Sequence, residues 1–388
     1  MNNLSFLVGL KNNLEYSQKF YENTRLFYPN IEIVFVSFGS SDGTHEWLDS
    51  LEDTNLKYYY SEENRTLSDT YNKAIEISTK EFICFLHNDM VLGENFGIEI
   101  LKSLENHPIV YYKTVEPPIF DKDERLWKEV RDFGDSFENF DHKAFYDYEK
   151  RHENIKGEFS DNVSFFLASN KNIIKSIGGL DPLFSPMFCE DDDLILRLKL
   201  SGEKFYVCPN AITYHFVSKT SRFSEEYRSK TKLIEENSQR NFARKWGFYN
   251  FSKSKAKYDI GIVLKNTNLE ILSKLEPLAS TIYVDIDFTE YLASEQPRTS
   301  ISLKEKIKNI NDFPKSNDVL VYINGSKLNS KSWDILNNIS DVISQRISEK
   351  KFKSSALKRF YQRIFKGYKP MIIINRVKRL EKKLIKRN

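Results

Sequence analysis

Two short clusters in this chain have residue types suited to chemistry. The first is His87-Asn88-Asp89, which follows five unbroken apolar residues, Phe82-Ile83-Cys84-Phe85-Leu86. A carboxylate with an imidazole and an amide beside it can hold a divalent cation. The same tripeptide also reads as a polar loop after a strand. The second cluster is Glu190-Asp191-Asp192-Asp193. At a helix N-terminus the dipole favours their charged forms, while their mutual repulsion raises one or more of the pKa values. A carboxylate tuned in this way can take the proton from an attacking hydroxyl. Capping and charge complementation of the helix is the other reading. It is the one expected for Asp192, with Asp193 orienting a neighbour.

These groups need elements to position them. The run 82–86, bounded by a polar turn, suits a strand buried on both faces of a mostly parallel sheet. In such sheets ligands gather beyond the carboxyl ends of the strands, where Asp89 would sit. Strands at 4–10, 31–38, 56–60 and 82–86 alternate with helices at 14–28, 45–51 and 66–77, the pattern of a parallel α/β sheet. The second strand ends in Gly39-Ser40-Ser41-Asp42-Gly43-Thr44. Strand, Gly/Ser turn and helix is a form that meets phosphate or ribose, although Ser and Asp also simply cap helices. Further on, the pattern predicts a helix at 93–106, strands at 109–115 and 163–169, and helices at 171–177 and 190–200. Short strands at 204–208 and 211–215 and a long helix at 224–246 follow. The acidic, aromatic stretch 120–158, which contains Trp127, reads as helical and as the wall of an acceptor site.

A second α/β pattern starts at Tyr258, with strands at 259–264, 281–287 and 318–323 and helices at 268–279 and 333–347. The expected division is 1–252, 258–348 and a basic helical tail, 349–388. Residues 350–388 carry 15 Lys and Arg against one acid, Glu381. The whole chain is +3, so this +14 leaves −11 on residues 1–349. Basic tails of this kind meet anionic membrane or nucleic acid, or form a solvated helix. Apolar content of 40% with 29% charged residues describes a soluble globular chain. Three widely spaced cysteines, Cys84, Cys189 and Cys208, make no disulfide framework and suit a reducing cytosol. No signal peptide and no apolar run of the ~20 residues that span a bilayer is expected.

Taken in order, the Gly39–Thr44 turn, Asn64, Tyr71-Asn72-Lys73-Ala74, His87-Asn88-Asp89, Gly178-Gly179-Leu180-Asp181, Glu190–Leu194 with Arg197 and Gly202, Pro209, Tyr214-His215, and Asn241-Phe242 with Lys245-Trp246-Gly247 resemble the family 2 glycosyltransferases of GT-A fold. The resemblance covers about residues 4–250. It implies a GT-A, Rossmann-like, mostly parallel sheet flanked by helices, and an inverting, metal-dependent transferase that uses a nucleotide-diphosphate sugar. It places Mn²⁺ or Mg²⁺ on Asp89, with His215 completing the metal site. His87 stands where the family's motif has its first aspartate. A mixed oxygen and imidazole site leans towards Mn²⁺. The resemblance also puts the general base on Asp191 with Glu190 beside it. Leu10, Ser37, Phe38, Asp42, Asn64, Asn72 and Asn88 fall on the nucleotide-sugar side, and Asp181 and Trp127 on the acceptor side. Ser37 and Phe38 occupy places where relatives carry two aspartates, so an acidic contact to base or ribose is lost.

The acceptor reading is a bacterial surface glycan or its lipid-linked precursor. The protein would be cytoplasmic, with the tail peripheral at the inner membrane face. A phage-type DNA glycosyltransferase acting on a hydroxymethylated base in a host cytoplasm is the alternative. A non-catalytic nucleotide-sugar-binding protein is the alternative of another class. A nucleotidyltransferase would need a Gly-rich basic loop after the first strand, which Lys11-Asn12-Asn13 does not supply.

Overall fold

The computed structural model describes residues 3–119, 124–217, 219, 226–312, 315–349 and 369–387. Contacts divide the chain into a first unit, Met1–Ile234 with Lys386–Asn388, and a second, Glu235–Ile385.

The first unit alternates β1 (Leu4–Leu10), α1 (Leu14–Phe27), β2 (Glu32–Phe38), α2 (Thr44–Asp49), β3 (Leu56–Ser61), α3 (Leu67–Ile77) and β4 (Phe82–His87). It continues with β5 (Met90–Leu92), α4 (Phe96–Leu104), β6 (Ile109–Glu116), β7 (Lys128–Val130), α5 (His142–Arg151), β8 (Glu158–Phe159), β9 (Leu167–Asn170), α6 (Lys171–Ser176), α7 (Glu190–Ser201) and β10 (Tyr206–His215). The strands form one sheet in the order β3-β2-β1-β4-β9-β6-β10-β5, with β7 on β6 and β8 on β10. Pairs among β3, β2, β1 and β4 are parallel, and so is β6 with β10, while β9 runs antiparallel between β4 and β6. The central run Ile83-Cys84-Phe85-Leu86 is fully buried, as expected of a strand covered on both faces. Helix α3 starts where its sequence says it should: Thr66 and Asp69 form a reciprocal capping box.

Register then sets the site. Gly9 lies opposite His87, Leu10 opposite Ser37, and Tyr214 opposite Val115. Two reversals of direction across β9 bring β6 and β10 parallel to β4, so Leu10, Ser37, His87, Glu116 and His215 share the carboxyl edge of the sheet.

Some expectations for this unit differ from what is found; the helix expected at 224–246, for one, begins at Thr231. Residues 204–208 and 211–215 form one strand, because β10 absorbs Pro209-Asn210 as an irregularity in its pairing with β6. The stretch 120–158 is mostly irregular where described, with only β7 and α5 and a final bridge to β8; residues 120–123 lie outside the described residues. The predicted strand 163–169 starts later, at Leu167.

Helix α8 (Thr231–Trp246) begins in the first unit and continues into the second, which then has β11 (Ile260–Lys265), α9 (Leu269–Leu275), β12 (Thr281–Val284), α10 (Thr289–Glu295), α11 (Leu303–Lys306), β13 (Ile307–Asn309), β14 (Val319–Asn324), α12 (Ser330–Asn337), α13 (Ile339–Ser348) and β15 (Met371–Ile374). Its sheet runs β13-β12-β11-β14-β15, parallel except for β15. The helix expected at 333–347 is two helices, broken where Asn338 leaves the helical region at φ −110°, ψ 28°. The basic tail is not helical throughout. Met371–Ile374 pairs antiparallel with β14 and closes the sheet edge, because alternate residues Ile372 and Ile374 have a core face to bury. Phe360, Tyr361, Ile364 and Phe365 lie outside the described residues.

Candidate active site

Asp89 sits in the turn between β4 and β5, almost fully buried. The Phe216 N–H donates to its carbonyl (2.9 Å), and the Lys219 N–H to its Oδ2 (3.0 Å). Its other oxygen, Oδ1, is buried without a hydrogen-bond partner and lies 3.3 Å from His215 Nε2, which has none either. On the far side of the ring, His215 Nδ1 is 3.1 Å from Glu116 Oε1, and Lys128 Nζ is 2.8 Å from Glu116 Oε2. The His87 ring lies edge-on to His215, with centroids 5.4 Å apart. His87, Asp89 and His215 each offer one ligand atom, all within 4.8 Å of one another.

Electrostatics here follow from burial and opposed charges. Burial lowers the pKa of His215, but Asp89 and Glu116 on either side outweigh it and raise it to about 10. Burial opposes ionisation of Asp89, yet His215 and the Lys219 N–H hold its carboxyl well below the usual range. His87 is lowered to about 4, first by burial and then by His215. Buried polar atoms left without partners are costly. A divalent cation would satisfy Asp89 Oδ1 and His215 Nε2 together, so these residues fit one.

The acids at 190–193 open α7. Before it, Phe188 and Cys189 both take left-handed backbone, φ 74° and 67°. That conformation costs a non-glycine residue about 1–2 kcal/mol. Glu190 is buried with Oε2 unpartnered; burial and then Asp191 push its carboxyl well above the ordinary range. Asp191 is half-buried, and its Oδ1 accepts from the Asp192 N–H at 2.8 Å. Burial and then Asp192 push it up to about 7. Asp193 makes a fully buried ion pair with Arg197 at 2.7 Å. Arg197 also donates to the carbonyls of Ile177 (2.8 Å) and Gly179 (2.6 Å). The pair therefore ties α7 to the glycine turn. The two acidic groups share a neighbourhood: the buried Tyr71 phenol, bonded to Leu86 O at 2.8 Å, feels the charges of both Asp89 and Glu190.

Most of the residues assigned to the nucleotide side are engaged within the protein. Leu10 is core. Ser37 is fully buried, 2.8 Å from Ser40 Oγ and 3.0 Å from His45 Nε2, while His45 Nδ1 meets Glu62 at 3.0 Å. Phe38 is buried against Tyr59, with the Arg65 guanidinium 5.6 Å from its ring centre. Asp42 accepts from the backbone N–H groups of Leu14 and Thr44. Asn72 clamps Leu180 by both ends of its amide, and Asn88 donates to Ser17. Asn64 is exposed and accepts from Lys11 Nζ, which also donates to Gly39 O.

On the acceptor side, Trp127 is core, its Nε1 donating to Asn162 O at 2.7 Å and its ring tilted against Phe166. The Asp181 carboxylate accepts from the Leu183 N–H. A cavity of about 560 Å³ does lie in this region, lined by Pro117, Pro118, Phe133, Asp135 and Asp141 among others.

Sequence reasoning missed Glu116, Lys128 and Lys11. Glu116 was within reach, since it ends an apolar strand at the carboxyl edge. Lys128 and Lys11 carried no local signal.

Residues 5–178 match the model of glycosyl transferase family 2. Over this stretch the chain is similar to family 2 glycosyltransferases. It is also similar to a poly-beta-1,6-N-acetyl-D-glucosamine synthase of Staphylococcus epidermidis, 24% identical over 219 residues, 56% of this chain and 50% of that protein. The synthase of the same name from Staphylococcus aureus strain COL is 22% identical over the same lengths. The chain thus spans about half the length of the curated relatives it matches. Among solved structures it resembles the mannosyltransferase PcManGT of Pyrobaculum calidifontis in complex with GDP-Man and Mn²⁺ (16% identity, 62% of this chain and 61% of that one, TM-score 0.40). It also resembles S. aureus TarS 1–349 (15%, 55% and 60%, TM-score 0.40).

Proposed function

We propose that the first unit transfers a sugar from a nucleotide-diphosphate donor to an acceptor hydroxyl, with inversion at the anomeric carbon. The observation that carries this reading is the pairing of a buried cation-ready cluster, His87–Asp89–His215, with a carboxylate raised to about 7 at Asp191, in a chain similar to family 2 glycosyltransferases. Asp191 is the general base: near neutral pH it is both available and basic enough to take the acceptor's proton. The Asp192 N–H holds its Oδ1 and leaves Oδ2 to face the hydroxyl. Glu190 stays protonated beside it and keeps a second negative charge away from the base. Asp193–Arg197 fixes the helix that carries both. Asp89 and His215 would hold the divalent cation, Mn²⁺ or Mg²⁺. When bound, that ion supplies charge neutralisation to the departing diphosphate. Lys11 and Asn64 present the polar atoms for the nucleotide.

The acceptor we favour is a bacterial glycan or its lipid-linked precursor, in keeping with the names of the curated relatives. The cavity after Glu116 takes the acceptor in place of Trp127. No helix among the described residues is long and apolar enough to cross a membrane. The exposed basic residues Arg376, Lys378, Arg379, Lys382 and Lys383 supply a peripheral contact with anionic lipid at the cytoplasmic face. Incubation with a panel of nucleotide sugars and Mn²⁺, read as nucleoside diphosphate release, tests the donor. Release that is absent for every donor, while binding persists, leaves a nucleotide-sugar-binding protein instead. Steeply salt-dependent affinity for DNA, with none for anionic liposomes, would move the acceptor to hydroxymethylated DNA.

A further inference from the structure

We propose that His87 is a direct third ligand of the cation, making a two-histidine, one-carboxylate centre that selects a borderline divalent ion over Mg²⁺, with Glu116 as the residue that orients His215. The inference rests on the reading of Asp89 as a cation ligand and adds what this chain does differently. His87 ends β4 directly before the Asn88-Asp89 turn, and its register partner Gly9 carries no side chain to cover it. Its ring is boxed by Phe165 (6.1 Å, 26°), Phe166 (5.6 Å, 63°) and His215 (5.4 Å, 64°). Among the described residues no side chain or backbone group hydrogen-bonds its ring nitrogens. The imidazole is half-buried and engaged by no polar group among the described residues, so a ring nitrogen is open to an incoming ion.

Spacing supports that use. A metal–nitrogen bond of about 2.0–2.1 Å puts each ring centre about 3.2 Å from a shared ion, so two rings at a tetrahedral angle stand about 5.2 Å apart. The observed separation of 5.4 Å needs little adjustment. His215 is prepared in the manner common to metal-bound imidazoles: a carboxylate on Nδ1 fixes the tautomer and leaves Nε2 free, here towards Asp89 Oδ1. Lys128 in turn keeps Glu116 ionised. Two imidazoles and one carboxylate suit Mn²⁺, Co²⁺ or Zn²⁺, whereas Mg²⁺ prefers oxygen ligands and its own waters.

The decisive readout uses the unmodified protein loaded with Mn²⁺ alone: pulsed EPR counts directly bound imidazole nitrogens. Two are expected, and one or none overturns the proposal, as does failure to bind Mn²⁺. Calorimetry adds the selectivity. Co²⁺ is expected to bind at least tenfold tighter than Mg²⁺. His87→Ala should weaken Co²⁺ binding by about 10–100-fold, and Glu116→Gln should do so by a similar factor. His87→Asp should move the preference back towards Mg²⁺. An unchanged Co²⁺ affinity in folded His87→Ala refutes the ligand role. Because binding is read without turnover, a protein that holds the ion on two imidazoles yet transfers no sugar would sink the proposed function and leave this inference standing.

Discussion

Asp191→Asn should inactivate the enzyme and stabilise its fold. The carboxyl titrates at about 7 in the folded protein and near 3.8 when unfolded. Between those values the folded state binds more protons than the unfolded state, so stability falls as pH rises through this window and the cost is complete above about 7. A difference of roughly three units at 1.36 kcal/mol each sets an upper bound of about 4 kcal/mol. Asp191 is half-exposed and its repulsion from Asp192 is partly screened, which reduces the figure to about 1–2 kcal/mol. Asparagine keeps the oxygen that accepts from the Asp192 N–H and removes the charge. For a unit of this size the gain corresponds to about 2–8 °C in Tm at pH 8, shrinking to nothing near pH 4. Thermal unfolding of both proteins at the two pH values measures it, and loss of a general base costs about 10²–10⁴ in rate. A gain equal at both pH values, or an asparagine variant less stable at pH 8, would refute the argument.

Three further outcomes are expected. Wild-type kcat/KM should rise about tenfold per pH unit up to about 7 and then level, as measured in a buffer series at fixed Mn²⁺; a flat profile from pH 5 to 8 contradicts Asp191 as base. Arg197→Met removes the ion-pair partner of the buried Asp193 and a donor to the carbonyls of Ile177 and Gly179. It should cost about 3–5 kcal/mol by denaturant titration. Replacing Arg376, Lys378 and Lys382 by Gln should weaken binding to anionic vesicles by about 1 kcal/mol per residue in a sedimentation assay. Truncation at 349 is a poorer experiment, because it also removes β15 from the second sheet.

Strands β1, β2 and β4 were legible in the sequence because they are largely apolar runs, and helix α3 because it carries a local start signal, Thr66 with Asp69. The His87–Asp89 turn was legible as a turn because it follows such a run. Other features depend on partners distant in sequence. Charge alone marked 350–388, and the alternation within Met371–Ile374 counts as a strand only beside β14. Aromatic richness around Trp127 cannot separate core from platform; that choice is made by Asn162 O and Phe166. Ser37, Asp42 and Asn72 have the chemistry of ligand contacts, but His45, the Leu14 and Thr44 amides, and Leu180 engage them. None of those pairings is visible in local pattern. Asn338 shows the same limit for backbone: a helical periodicity carried across it, while the chain turned.

The most direct test of the account is nucleoside diphosphate release from a nucleotide sugar, with and without Mn²⁺, by wild type and Asp89→Ala. Release should require the ion and fall at least 10³-fold in the variant, about 4 kcal/mol of barrier. Release at the wild-type rate by Asp89→Ala, or full release in the presence of a chelator, would contradict it.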